Sequence, residues 1–305
     1  MLALFKLLRI PNLILLGLSQ VLVRFFLILP AFEAEMHFTG EMPEHMSLFN
    51  FALLVLSTVF IAAGGYIIND IQDIEIDKIN KPGSNVAGNQ ISISICRKLY
   101  SILTITGIIT GIYIAWVSGK PAMAGIHIFA ALSLYVYATY FKKKLLSGNL
   151  IISSLAFLAL FMVGLFEPEF YRNIGILFVY SIFAFGLTFL REVVKDIEDT
   201  EGDTAGQCKS LANTIGIRNT KAVLLIMTLL ISSGLTYVLH KYFYTNSVVS
   251  FWLLLGMCLI PFAGLFSLIY SASEKKDYYY ASLYTKFLMF AGVLSMIPLY
   301  YYFLT

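Results

Sequence analysis

Nine apolar stretches recur along this chain, near 10–31, 48–69, 95–117, 121–141, 149–166, 173–191, 221–240, 249–271 and 282–303. Each comes close to the roughly 20 apolar residues that a helix needs to cross a hydrocarbon core of about 30 Å. The composition agrees. Charged residues make up 13% of the chain and hydrophobic ones 59%, whereas a soluble domain carries about 25% charged residues. Too little polar surface remains to face water. The expected fold class is an all-α integral membrane protein of nine transmembrane helices. The first stretch has no small-residue cleavage site after a short apolar core, so it reads as a retained helix. No Pro/Gly/Ser-rich linker interrupts the chain, which implies one membrane domain over 1–305.

Basic residues set the orientation. With the N-terminus inside, cytosolic segments hold Lys6, Arg9, Lys78, Lys81, Arg97, Lys98, Lys142, Lys143, Lys144, Arg191, Lys195, Lys209, Arg218, Lys221, Lys275, Lys276 and Lys286. The other side holds only Lys120, Arg172 and Lys241, and Arg24 falls within the first span. This asymmetry is the positive-inside pattern. Arg24 is expected to snorkel to the outer interface, toward Glu33. The outer loop 32–47 reads as a solvated acidic cap.

Two long cytosolic connections, about 70–94 and 192–220, contain the same spacing of acids. Asp70, Asp73 and Asp77 repeat as Asp196, Asp199 and Asp203. Offsets of three and four lie on one face of a helix. Each motif is therefore expected to extend a membrane helix into the cytosol and to stack its carboxylates along one stripe. Asn80-Lys81-Pro82 then ends the first extension, because proline disfavours helical geometry in the residue before it.

Like charges on one helical face repel, and a second set nearby worsens the repulsion. A bound cation would relieve it. Hard oxygen donors select magnesium or calcium, and magnesium commonly combines one or two carboxylates with waters and substrate phosphates. Two such stripes facing each other would hold a diphosphate through bridging magnesium. Cations nearby suit a phosphate as well: Arg191 and Lys195 before the second motif, and Lys142, Lys143 and Lys144 after Tyr137 and Tyr140. Cys96, Cys208 and Cys258 form no CxxC pair and suggest neither a disulfide framework nor a zinc site. His37, His45, His127 and His240 form no metal-ligand pair on the cytosolic side, so histidine catalysis is not expected.

Asn69 to Asp77 resembles the N-D-x-x-D-x-x-x-D motif of the UbiA superfamily of intramembrane prenyltransferases, and Asp199 to Asp203 its second D-x-x-x-D. Arg9-Ile10-Pro11-Asn12 before the first span, and Lys142 with Gly148-Asn149, are similar to that family at matching places. The resemblance implies a helical bundle around a central cavity capped by the cytosolic Asp-rich motifs. It implies transfer of a prenyl group from a polyprenyl diphosphate to a lipid or aromatic acceptor, with two Mg2+ ions bridging the diphosphate. The implied metal ligands are Asn69, Asp73 and Asp77 for one ion and Asp196, Asp199 and Asp203 for the other, with Asp70 orienting a ligand or a basic residue. These six aspartates are the expected catalytic set. Asn12, Tyr137, Tyr140, Lys142, Asn149, Arg191 and Lys195 are the expected substrate-binding residues. Membrane lipids are the surroundings implied, with no nucleic acid and no obligate protein partner.

The run Arg191 to Asp203 is most similar to the branch that makes archaeal-type ether lipids, as is Ile76 to Pro82. This branch implies geranylgeranyl transfer to geranylgeranylglyceryl phosphate. Ser84-Asn85-Val86-Ala87 departs from the Arg-Pro-Ile-Pro-like run usual there and removes one expected cation. An aromatic acceptor of quinone biosynthesis is the alternative. A CDP-alcohol phosphotransferase would need a D-G-x-x-A-R run, which is absent. An ion-coupled transporter would need acids at mid-membrane depth, whereas the motif acids are expected at or beyond helix ends.

Overall fold

The computed structural model describes residues 2–41, 43–80, 83, 85–169, 174–242 and 248–304. Among them nine helices are long and apolar enough to cross a bilayer: α1 (Ile10–His37), α2 (Leu48–Gln72), α3 (Ile93–Val117), α4 (Pro121–Thr139), α5 (Ser147–Phe166), α6 (Ile174–Glu198), α7 (Ile217–Lys241), α8 (Phe251–Ser271) and α9 (Lys275–Tyr300). Each coincides with one apolar stretch of the sequence. No strand occurs among the described residues.

Three helices outrun their sequence boundaries, among them α9, which starts at Lys275 and not near 282. Helical structure continues from α1 to Thr39, so much of the expected outer loop is helix. Helix α6 continues to Glu198, which places Glu192 and Asp196 within a helix and not at or beyond its end. Helices α1 and α8 each pass through a π-helical turn, at Arg24–Ile28 and Leu255–Leu259, just before Pro30 and Pro261. Proline lacks an N–H and crowds the carbonyl four residues back. A widened turn accommodates that loss while the helix runs on.

Serine hydroxyls fix two starts: Ser47 accepts the Asn50 N–H at 3.2 Å before α2, and Ser92 accepts the Ile95 N–H at 3.4 Å before α3. Helices α2 and α3 then pack closely over glycines. A Cβ on Gly64 would come within 2.3 Å of Thr104 Oγ1, and one on Gly107 within 2.9 Å of the Ser57 carbonyl oxygen. Small residues at such contacts let membrane helices approach backbone to backbone. Large apolar side chains elsewhere are exposed, such as Ile102, Ile109 and Trp116 on α3 and Phe129 on α4. Hydrocarbon, not water, suits that outer face.

The buried core falls into two main parts. One, around Leu27, Phe32, Phe51, Val163, Phe166 and Leu177, lies toward the end of the bundle where α1 finishes and α6 begins. The other, around Leu190, Val193, Val194, Leu224, Leu265 and Ile269, lies at the opposite end. Arg24 lies in the first part and does not snorkel to Glu33. It is buried, 3.2 Å from Glu167, over the Phe51 ring, and donates to the Met46 carbonyl. Glu167 also accepts the Met46 N–H at 2.7 Å, and Lys120 donates to its carbonyl at 2.6 Å.

The connections that carry the acidic motifs meet at the other end. Arg9 reaches Asp70 at 2.7 Å, the Lys209 N–H donates to the Lys143 carbonyl at 3.1 Å, and Lys275 donates to the Asn80 carbonyl at 3.4 Å.

Candidate active site

Both acidic motifs bend at their middle aspartate. Helix α2 stops at Gln72, Asp73 takes φ −88° and ψ 0°, and a short helix follows over Ile74–Asn80. Helix α6 stops at Glu198, Asp199 takes φ −97° and ψ 10°, and a short helix follows over Thr200–Ala205. The expected continuous extensions are therefore broken, each at the same motif position. The i to i−4 hydrogen bonds nevertheless persist: Asp73 and Asp77 N–H donate to the Asn69 and Asp73 carbonyls at 2.9 and 2.8 Å. Asp199 and Asp203 N–H donate to the Lys195 and Asp199 carbonyls at 2.8 and 3.0 Å. Asp73 with Asp77, and Asp196 with Asp199 and Asp203, thus still line one cavity across the break in each helix. The short helices pack on each other so closely that a Cβ at Gly202 would lie 2.5 Å from the Asn80 amide.

Between the helices runs a cavity of about 800 Å3. Asn69, Asp73 and Asp77 line it from the first motif, and Asp196, Asp199 and Asp203 from the second. Asn12, Tyr137, Lys142, Asn149, Arg191 and Lys195 line it too. Two of the expected residues are absent from its wall. Asp70 is turned to Arg9, and Tyr140 is exposed beneath the Lys144 ammonium, which sits 4.0 Å from its ring centroid. Asp70 therefore meets a basic residue, one of the two roles expected for it. Lys81, Pro82, Ser84 and Arg172 lie outside the described residues.

Lys142 is the link across the cavity mouth. Its ammonium bonds Asp73 Oδ2, which also accepts from Asn69 Nδ2 at 2.6 Å. Burial works most strongly against the charge on Lys142, but Asp73 and the other acidic groups around it together outweigh burial, and the ammonium is held above its usual range. Asn149 Nδ2 donates to Asp196 Oδ2 at 3.0 Å, tying α5 to the second motif. Burial pushes the Asp203 carboxyl up to about 6; Lys142 opposes that rise while Asp199 and Asp73 add to it. Arg9 sits in the left-handed region at φ 50° and lies 5.1 Å from the Tyr66 ring centroid. Burial opposes its charge most strongly, and Asp70 with Tyr66 and Asp73 together more than compensate.

These groups fit a magnesium-bound phosphate. The donors are hard oxygens, and the Asn69 Oδ1 oxygen is buried with no hydrogen-bond partner. Lys142 already places one positive charge against Asp73, where a cation is needed. Among the described residues no three carboxylate, histidine or cysteine side chains converge to hold an ion by themselves. A site of this kind leaves coordination positions for waters and substrate phosphate, as magnesium sites usually do.

Several cavity residues escaped the sequence reading. Glu192, Lys209, Ser210 and Lys286 line the wall. Lys286 reads from sequence as a cytosolic anchor, yet it lies well inside α9. His127 also lines the cavity, buried, with Nε2 3.0 Å from Ser57 Oγ. The spacing of Glu192 before Asp196 is the only hint the sequence offered, since the others come from separate helices.

A bundle of nine membrane helices around a long apolar cavity with facing acidic motifs defines a class of intramembrane transferase. The chain belongs to the UbiA prenyltransferase family, which its residues 28–291 match. It is 34% identical over 236 residues to the digeranylgeranylglyceryl phosphate synthase of Saccharolobus solfataricus, covering 76% of this chain and 79% of that one. A solved structure of a digeranylgeranylglyceryl phosphate synthase has the same fold, with a TM-score of 0.66 and 24% identity over 97% of this chain and 98% of that one. A UbiA homolog from Archaeoglobus fulgidus, solved with GPP and Mg2+, gives a TM-score of 0.52 at 19% identity over 93% of this chain and 99% of that one.

Proposed function

We propose that this prenyltransferase moves a geranylgeranyl group from its diphosphate to the hydroxyl of geranylgeranylglyceryl phosphate, with the site facing the cytosol. The observation that carries the chemistry is the single cavity that joins both acidic motifs to a long apolar lining. Its wall runs along α6 from Gly175 to Asp196, about 30 Å of helix. A diphosphate at the motif end would leave its polyprenyl tail among Leu155, Phe183, Leu235 and Leu299. The choice of acceptor is supported by the name of the relative from Saccharolobus solfataricus.

Asn69, Asp73 and Asp77 would hold one magnesium ion, and Asp196, Asp199 and Asp203 a second. Magnesium supplies Lewis-acid stabilisation of the charge that develops on the departing diphosphate. Lys142, half-buried beside Asp73, would add a fixed positive charge to the same oxygens. Asn149 holds the Asp196 carboxylate in one orientation. The apolar wall excludes water from the allylic carbon as its bond to oxygen breaks. The acceptor hydroxyl oxygen forms the new ether bond, and its proton leaves with the diphosphate. An alcohol needs little activation against an allylic cation, so no strong base is required.

The test is an assay of the purified protein with geranylgeranyl diphosphate against geranylgeranylglyceryl phosphate, dihydroxynaphthoate, hydroxybenzoate and homogentisate. Ether formation with the glyceryl phosphate is expected. Efficient prenylation of an aromatic acceptor, with the glyceryl phosphate ignored, would overturn the acceptor and leave the transferase class standing.

A further inference from the structure

Six carboxylates line the cavity among the described residues: Asp73 and Asp77 from the first motif, Asp196, Asp199 and Asp203 from the second, and Glu192. Glu192 alone belongs to neither set of proposed metal ligands. It precedes Asp196 by one helical turn, about 6 Å along α6 toward the apolar part of the cavity. Its side chain is 16% exposed, and Oε1 accepts from Arg191 Nη1 at 2.8 Å. No other hydrogen bond reaches it from the described residues. Its charged neighbours are Lys195 and Arg191 on α6, Arg9 before α1, Lys142 after α4 and Lys286 on α9.

The tail of a bound donor would run into the apolar cavity, so its allylic carbon would lie on the membrane side of a diphosphate held by the motifs. Glu192 stands on that side. Attack by an alcohol oxygen on that carbon gives a protonated ether, whose proton is acidic enough for a weak base to remove. The motif aspartates are poor candidates, since a carboxylate that ligates a metal has its lone pairs committed to the ion. His127, also on the wall, lies about 18 Å of helix from the end of α4 at Thr139.

We propose that Glu192 is a catalytic residue of ether formation: its carboxylate accepts a hydrogen bond from the acceptor hydroxyl, aims that oxygen at the allylic carbon and takes its proton. The allylic C–O bond breaks, and its electron pair leaves with the diphosphate. A lone pair of the acceptor oxygen makes the new C–O bond, and the O–H electron pair stays on the ether oxygen. The proton passes to Glu192 and from there to the departing diphosphate one turn away. Arg191 holds the carboxylate by Oε1, which leaves Oε2 for the hydroxyl. The assignment rests on the prenyltransferase reading and adds the group that handles the acceptor's proton.

Steady-state kinetics of the purified protein with geranylgeranyl diphosphate, magnesium and geranylgeranylglyceryl phosphate test it, beside calorimetric titration of the donor. Glu192→Gln keeps the size and the contact with Arg191 but cannot take the proton. Its kcat should fall at least about a hundredfold, the scale of general-base catalysis. KM for the acceptor and affinity for the donor should stay within about threefold of wild type, because the loss falls on the transition state. Glu192→Asp should recover at least about tenfold of the lost rate. A Gln variant with kcat within about threefold of wild type overturns the assignment. So does one that loses donor affinity in step with rate, or an Asp variant no faster than Gln. A wild type that prenylates only aromatic carbon overturns the ether reading itself and removes the step assigned to Glu192.

Discussion

Asn80 Oδ1 accepts a hydrogen bond from the Gly202 N–H at 2.8 Å, across 122 residues of chain. Asn80 ends the first motif's short helix and Gly202 lies inside the second's, so this bond fixes the spacing of the two acidic faces. Asn80→Ala leaves a buried N–H without a partner, at a cost of about 1–3 kcal/mol. The thermal midpoint in detergent should fall, and turnover should fall with it as the faces drift. Gly202→Ala should do the same by steric conflict, since its Cβ would meet the Asn80 amide at 2.5 Å.

Asp73→Ala and Asp199→Ala should each lower turnover at least about a hundredfold, because metal-mediated charge stabilisation is worth several kcal/mol. Excess chelator should abolish activity in the wild type. Asp70→Asn should have a smaller effect, since Asp70 acts through Arg9. Near wild-type turnover in the Asp73 or Asp199 variant would refute the proposed ligand roles.

Protonation of Asp203 should compete with magnesium. Its carboxyl, raised to about 6 from 3.8, binds a proton more tightly folded than unfolded. For the metal-free protein this favours folding below pH 3.8, and the gain is lost as pH rises through about 6. Metal affinity runs the other way and should weaken as pH drops below about 6. Magnesium titrations followed by thermal shift between pH 5 and 8 should show this slope. Asp203→Asn should flatten it while weakening binding at every pH.

Far from the site, Arg24 and Glu167 are buried to 3% and 0% side-chain exposure. Burial pushes the Glu167 carboxyl above its usual range, against the opposing pull of the Met46 N–H and of Arg24. Removing one partner strands the other, so Glu167→Gln should cost about 3–5 kcal/mol. Adding Arg24→Met should recover much of that loss. Thermal unfolding of the single and double variants measures both effects.

The nine spans were legible because hydrocarbon demands long uninterrupted apolar runs, and the two motifs because a periodicity of three and four survives in sequence. Spacing alone did not reveal the bends at Asp73 and Asp199, since nothing in Asp-Ile or Asp-Thr forbids helix; both bends appear where the short helices pack together. Arg24 was assigned to Glu33 because that acid was near in sequence, whereas Glu167 arrives from α5 through tertiary packing. Lys286 was counted with the cytosolic cations because it stands only four residues into the 282–303 stretch, whereas the capping box of Glu274 and Asp277 starts α9 earlier and leaves Lys286 well inside it. Asn80 was read only as a helix end. Its second role depends on a glycine in another motif, which one sequence cannot pair with it.

The carboxylates of the cavity gather at one end. Asp77 and Asp203 stand at that end, and Leu254, Leu299 and Ile176 line the other. An amphiphile can occupy it in one sense, head toward the motifs and tail toward the floor. Under the proposed reaction both substrates are drawn from the same leaflet, and the larger lipid is returned to the leaflet that supplied them. Carrying that lipid to the opposite leaflet would therefore fall to another process.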